Sequence, residues 1–306
     1  MPMRVAVTGA TGFIGRVLVP ALRERGDSVI ALSRDIFQAK EILGDGIELV
    51  HWEAGGRPGP WEGEISRSDA VVNLAGEGIF KQRWDTPFKA RIWSSRVDGT
   101  RQIVEAIGRQ QQRPGILINA SAIGVYGPRG DEPLDESGAA GHDFLAQMVQ
   151  AWEAEAAKAE PLGLRVVRLR IGVVLEKDGG ALAQMLPPFK LFLGGWMGTG
   201  RQYFSWVHRD DVVGIILYAL DHDDIHGAIN VTAPQPVTNK AFSVALGRAL
   251  RRPALVPVPA FALRLMLGEA AEVILSGQHV VPKAITAVGY RFKHPELAGA
   301  LQSILY

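Results

Sequence analysis

Three glycines, Gly9, Gly12 and Gly15, stand at three-residue spacing in Thr8-Gly-Ala-Thr-Gly-Phe-Ile-Gly15, directly after Arg4-Val-Ala-Val7. Between a first strand and a first helix, such a run has a mechanism. Gly9 permits the tight turn, Gly12 lets the backbone approach a pyrophosphate, and Gly15 lets the helix pack close to the strand. Thr11, Phe13 and Ile14 complete a cradle at the helix N-terminus, where unpaired amides and the helix dipole favour anions. The plain alternative is a turn that needs positive φ and holds no ligand.

The second apolar run ends Leu32-Ser33-Arg34-Asp35. A carboxylate at this strand end usually receives the ribose hydroxyls of NAD, whereas Ser33 and Arg34 suit the 2′-phosphate of NADP. A guanidinium makes paired, charge-assisted bonds to such a phosphate. NADP is therefore the expected cofactor. Asp35 could still take the ribose if the strand runs a residue or two longer, and Arg34 could be an ordinary surface charge.

These groups need a scaffold, and the chain supplies its pattern. Val5–Thr8, Ser28–Leu32, Ile47–His51, Ala70–Leu74, Ile116–Ala120 and Arg165–Leu169 are short and rich in Val and Ile. Runs apolar on both faces fit a parallel sheet covered by helices. Ile14, Leu18, Ala21 and Leu22 recur at helical spacing, and the stretch from Pro87 to Gln112 predicts one long helix. The alternation predicts an α/β fold, a doubly wound parallel Rossmann-type sheet with right-handed crossovers. Residues 1–174 would form the nucleotide-binding domain, with its sheet completed by about 206–232. Residues 175–205 and 233–306 would form a smaller, mixed substrate-binding lobe, since Gly- and Pro-rich stretches there break the rhythm.

Composition narrows the classes. Lysine and arginine exceed aspartate and glutamate by one, giving a net charge of +1. That balance offers no global field for nucleic acid or an anionic membrane. With 47% hydrophobic and 21% charged residues, the chain can build a large core. It has no cysteine, so thiolate catalysis, thiolate zinc sites and disulfides are excluded. No secretory signal or membrane span is visible, and a cytoplasmic location is expected.

The motifs together resemble the extended short-chain dehydrogenase/reductase superfamily over nearly the whole chain. Asp69-Ala-Val-Val-Asn-Leu-Ala-Gly76 is similar to its strand-end motif beside the adenine, which places Leu74, Ala75 and Gly76 at the cofactor. Val97-Asp-Gly-Thr100 resembles the long-helix motif, and Val125-Tyr-Gly127 the turn after the fifth strand. Lys81-Gln-Arg-Trp84, Asp143-Phe-Leu-Ala146, Trp152-Glu-Ala-Glu155 and Pro234-Gln-Pro-Val-Thr238 resemble an atypical subgroup described as epimerase-family or nucleoside-diphosphate-sugar epimerase proteins, which carries its own C-terminal segment. The resemblance implies a small-molecule substrate, such as a nucleotide sugar, and a homodimer paired through the long helices.

The superfamily's chemistry uses a tyrosine and a lysine one helical turn apart, with a nearby serine or threonine. The matching helix, His142 to Glu160, offers Phe144 with Met148 or Leu145 with Val149. Neither pair can relay a proton. Ser121 and Tyr126 are the remaining candidates for acid–base work near the nicotinamide; Tyr126 could equally pack a turn. Lys81, Arg83 and Arg96 follow the fourth strand and could meet a phosphate-bearing substrate or simply face solvent. His208, Asp210 and Asp211 are not spaced as a metal site, and Asp211 is expected to cap the helix Val212–Leu220. Two readings follow: an NADP-dependent oxidoreductase or epimerase-like enzyme, or an NADP(H)-binding sensor without turnover.

Overall fold

Val5 and Val7 of the first strand face one layer of the core and Ala6 the other, so this strand must lie inside a sheet covered on both sides. The computed structural model describes residues Met1–Tyr306. Seven strands form the main sheet: β1 (Arg4–Thr8), β2 (Ser28–Ser33), β3 (Glu48–His51), β4 (Ala70–Asn73), β5 (Ile116–Ala122), β6 (Arg165–Ile171) and β7 (Gly227–Val231). Their order is β7-β6-β5-β4-β1-β2-β3. Every neighbouring pair is parallel, as the doubly wound reading of the sequence requires. The direction of winding reverses between β1 and β4, the place where such sheets open a crevice at their carboxyl ends.

Helices α1 (Gly15–Glu24), α2 (Ile36–Leu43), α3 (Trp61–Ser66), α4 (Thr86–Trp93), α5 (Gly99–Arg109), α6 (Phe144–Ala157), α7 (Gly180–Lys190) and α8 (Arg209–Asp221) occupy the crossovers and the lobe. Leu18, Val19 and Leu22 of α1 join Val212, Ile215 and Ile216 of α8 on one face. Ile103, Val104 and Ile107 of α5, with Ala156 of α6, cover the other.

The long helix expected from Pro87 to Gln112 is not continuous. Ser94–Asp98 form a π-helical turn between α4 and α5. The sequence period could not show it, because an extra residue in one turn shifts the stripe without breaking it. The turn leaves Gly99 against Trp52 and Ala54, where a Cβ would come within 2.9 Å of the Ala54 methyl. The outward residues of α5, Arg101 and Arg109, are engaged with Glu155 and Glu62.

The lobe adds α9 (Asn239–Leu250), α10 (Ala260–Leu267), α11 (Ala271–Leu275), α12 (Lys283–Ala287) and α13 (Leu297–Leu305). Phe189, Trp206, Phe242, Leu246 and Leu301 build its core. The C-terminal chain also returns to the part built around the main sheet. His279–Val280 pair with Pro133–Leu134, and Ile285 joins the core beneath the sheet. Residues 253–259 form no strand; only Val258 bridges, to Met197.

Candidate functional site

At the end of β1 the chain turns sharply. Gly9 has φ +65°, and a Cβ there would lie 2.8 Å from the Leu74 carbonyl. A Cβ on Gly15 would stand 2.2 Å from the Gly9 oxygen, so only glycine lets α1 start this close to the strand. Gly12 is exposed. Its amide bonds the Gly9 carbonyl at 2.9 Å, while the amides of Thr11, Phe13 and Ile14 have no partner in the protein. Ile14 provides no side-chain cap for α1. These orphaned donors and the absence of a side chain at exposed Gly12 fit the pyrophosphate of a dinucleotide.

A strap from the lobe lies against this loop. Gly179 and Gly180 pack on the Phe13 ring so closely that Cβ atoms would clash with it. Asp178 pairs with Arg16 at 2.9 Å and with Arg209 at 2.9 Å, and Arg209 also bonds Glu176 at 3.1 Å. The Arg209 guanidinium sits 5.1 Å from the centre of the Phe13 ring. Sequence reasoning missed the strap, because its partners lie far apart in the chain.

At the end of β2, Ser33 Oγ turns inward onto the backbone, donating to the Asp35 carbonyl at 3.0 Å. The Asp35 carboxylate accepts from the Gln38 amide at 2.9 Å and caps α2. The strand ends at Ser33, and one oxygen of the Asp35 carboxylate is engaged by the helix. Arg34 is exposed and engages no carboxylate. The adjoining crevice after β3, about 300 Å³, is lined by His51, Trp52, Arg57 and Trp61 among others.

Leu74, Ala75 and Gly76 leave β4 over a buried polar network that the sequence did not reveal. Thr8 Oγ1 donates to Asn73 Oδ1 at 2.6 Å, and Asn73 Nδ2 donates to Thr100 Oγ1 at 2.9 Å and Asn119 Oδ1 at 2.6 Å. Trp152 Nε1 donates to Thr100 Oγ1 at 2.9 Å. Five elements are thereby held in register at the carboxyl edge, with no buried donor stranded among them.

Of the three cations expected near a substrate, only Arg96 is enclosed. It sits in the π turn beneath Gly76, where a Cβ would touch the guanidinium at 3.1 Å, and over the Trp152 ring. Burial pushes its pKa down to about 10, against the pull of Glu77. It donates to the Ile92 carbonyl at 3.3 Å and reaches no carboxylate. Lys81 pairs with Glu77 at 2.8 Å. Arg83 lies exposed beside Gly268 of the lobe.

Ser121 and Tyr126 are not open to the cleft. Ser121 is 3% exposed and donates to Glu153 Oε1 at 2.6 Å. Tyr126 has no exposed surface. Its hydroxyl meets Asn230 Oδ1 at 2.7 Å and the Asp135 carbonyl at 3.1 Å, and accepts from Arg170 at 3.0 Å. Arg170 grips Glu153 through two bonds of 2.8 and 2.9 Å. Burial raises the Tyr126 pKa despite the opposing Arg170. Burial alone would lower that of Arg170, but the Glu153 carboxylate more than reverses it. Both hydroxyls expected as acid–base candidates are thus buried and engaged by polar partners within the fold. Charged Arg165, Arg168 and Arg170 within an otherwise apolar strand were the available signal.

The expected cap at Asp211 also differs. Arg209 begins α8 and His208 caps it, Nδ1 accepting from the Asp210 amide at 3.0 Å. Asp211 is fully buried and accepts from the Lys293 and His294 amides at 2.6 and 3.0 Å. The fold brings His294 beside His208 and Asp210, three potential ligand atoms within 4.8 Å. Lys293 Nζ provides the positive charge there, 2.8 Å from Asp210.

The parallel order reversing at β1, with a glycine-rich turn of unpartnered amides at the crevice, defines a Rossmann-type fold. Residues 5–232 match the NAD dependent epimerase/dehydratase family, and residues 258–304 match a domain of unknown function, DUF1731. The chain belongs to that epimerase/dehydratase family. It is 42% identical to "Epimerase family protein SDR39U1 homolog, chloroplastic" of Arabidopsis thaliana, over 99% of this chain and 87% of the relative. It is 39% identical to the epimerase family protein YfhF of Bacillus subtilis, over 99% and 98%. A crystal structure of human epimerase family protein SDR39U1 with NADPH superposes with a TM-score of 0.86, at 36% identity over 99% of each chain. No helix is long and apolar enough to cross a membrane.

Proposed function

We propose that this protein binds NADP(H) and has replaced the superfamily's proton relay with packing. One contrast carries the reading: the amides of the phosphate loop are open and unpartnered, while Ser121, Glu153, Tyr126 and Arg170 are closed onto one another. Thr11, Phe13 and Ile14 would hold the pyrophosphate through their amides. Arg34 would hold the 2′-phosphate, and Leu74, Ala75 and Gly76 would bound the adenosine side. The likeness to a structure crystallised with NADPH supports the choice of NADP over NAD.

A second reading is an NADP-dependent oxidoreductase or epimerase-like enzyme acting on a small molecule such as a nucleotide sugar. It is favoured by Arg96, an enclosed guanidinium without a carboxylate partner. Bound nicotinamide would supply or accept hydride; the hydroxyl proton would have to come from water or the substrate. Arg96 would orient an anionic group, and Phe144, Leu145 and Met148 would exclude water.

Fluorescence titration comes first. NADPH is expected to bind more tightly than NADH, and Arg34→Ala to weaken NADPH at least tenfold, as loss of a charge-assisted bond of about 1.5–3 kcal/mol implies. Equal affinity for both cofactors defeats the 2′-phosphate assignment. NADPH deuterated at each C4 face, incubated with a fractionated metabolite extract, then separates the readings. Label in a metabolite establishes the oxidoreductase, and tight binding without transfer supports the sensor.

A further inference from the structure

Net charge conceals an asymmetry. Residues 179–209 and 225–268 contain no aspartate or glutamate, yet they carry Lys190, Arg201, Arg209, Lys240, Arg248, Arg251, Arg252 and Arg264. Arg209 and Arg264 are paired with carboxylates from neighbouring segments. Lys190, Arg251 and Arg252 are exposed, and no carboxylate approaches them.

The same stretches expose Leu191, Phe192, Leu193, Leu255, Val256, Phe261, Leu265 and Met266, which are eight of the fourteen exposed large apolar side chains in the protein. They are joined by structure. The Val256 amide bonds the Gly194 carbonyl at 3.1 Å, and Val258 bonds Trp196 at 2.8 Å before α10 begins. The Arg252 guanidinium lies 4.5 Å from the centre of the Phe192 ring. Phe192 holds φ +64°, a strained value for an aromatic residue. Pro187, Pro188, Pro253, Pro257 and Pro259 stiffen the approaches. The patch is therefore a stiff apolar surface with unpaired Lys190, Arg251 and Arg252 on one side, while the Glu269 and Glu272 carboxylates beyond α10 are engaged by Lys89 and Arg264.

We propose that this face of the lobe docks peripherally on an anionic lipid surface, with the 191–193 loop and the open side of α10 entering the headgroup region. Apolar insertion beside unpaired Lys and Arg is the combination such interfaces select. A second copy of the chain is disfavoured as occupant, because a two-fold contact through this face would gather two sets of Lys190, Arg251 and Arg252 at one interface.

Cosedimentation tests this with the full chain and two vesicle types, pure phosphatidylcholine and equimolar phosphatidylcholine with phosphatidylglycerol. Binding is expected only to the anionic vesicles, weakening as salt is raised. The pair Arg251→Glu with Arg252→Glu should reduce it about tenfold or more, and Leu265→Glu should reduce it comparably. NADPH titration and thermal unfolding verify that each variant is folded. Equal binding to both vesicle types, absence of binding at low salt, or binding indifferent to the variants overturns the proposal. So does light scattering that shows a dimer dissociated by Leu265→Glu, because a second copy then covers the face.

Discussion

The phosphate loop and the cluster around Arg170 lie at the same edge of one sheet and treat polar atoms in opposite ways. In the loop, backbone donors are left unmet and side chains are removed. In the cluster, every polar side chain is matched: Ser121 to Glu153, Glu153 to Arg170, Arg170 to Tyr126, Tyr126 to Asn230. Open donors are costly to folding unless water or a ligand meets them, whereas a closed network contributes to folding and is inert toward a ligand. The difference teaches that one half of this edge has donors available to a ligand and the other half spends its polar atoms on the fold.

Breaking the closed half should cost the most. Glu153→Ala leaves the Arg170 guanidinium buried without its carboxylate, and a loss of about 3–5 kcal/mol is expected. Urea unfolding measures it; a loss below 1 kcal/mol, approximately the scale of an exposed pair, would mean that the cluster opens to water. Gly12→Val addresses the open half. It fills the cradle and should weaken NADPH on the order of a hundredfold, roughly 2.7 kcal/mol, while shifting the unfolding midpoint far less than Glu153→Ala does. Titration with unchanged affinity would place the pyrophosphate elsewhere.

The smallest effect concerns His208. Burial, with His294 stacked on it at 3.8 Å, holds its pKa down to about 4. The folded imidazole stays neutral while the unfolded one takes a proton below its ordinary value of 6.5. The unfolded state therefore binds more protons in that window, and stability falls as pH drops from about 6.5 toward 4. His208→Asn should flatten this slope; an unchanged slope would assign it to the carboxylates.

The fold was largely legible because its signals are local. Val5–Thr8 and Ala70–Asn73 announce themselves by composition, and Gly9, Gly12 and Gly15 by spacing. The cap that Asp35 places on α2 was not read from the sequence. Tyr126 was not legible. Its hydroxyl partners come from Asp135, Arg170 and Asn230, which are 9, 44 and 104 positions away. No pattern within one segment encodes whether such a hydroxyl faces a crevice or a core. The π turn at Arg96 was hidden for the related reason that helical periodicity survives a single extra residue.

The return of the C-terminal chain has a consequence for how the molecule is made. Glu136 accepts from the Ala284 amide and Asp211 from the Lys293 and His294 amides, while Arg129 and Gly127 are bonded by Gly277 and Gln278. A chain emerging vectorially from the ribosome carries those carboxylates and edges unmatched until residues 277–294 follow. Those groups thus become satisfied only once residues 277–294 have been made, and a ribosome stalled within α10 would present a complete main sheet whose Glu136 and Asp211 still await their partners.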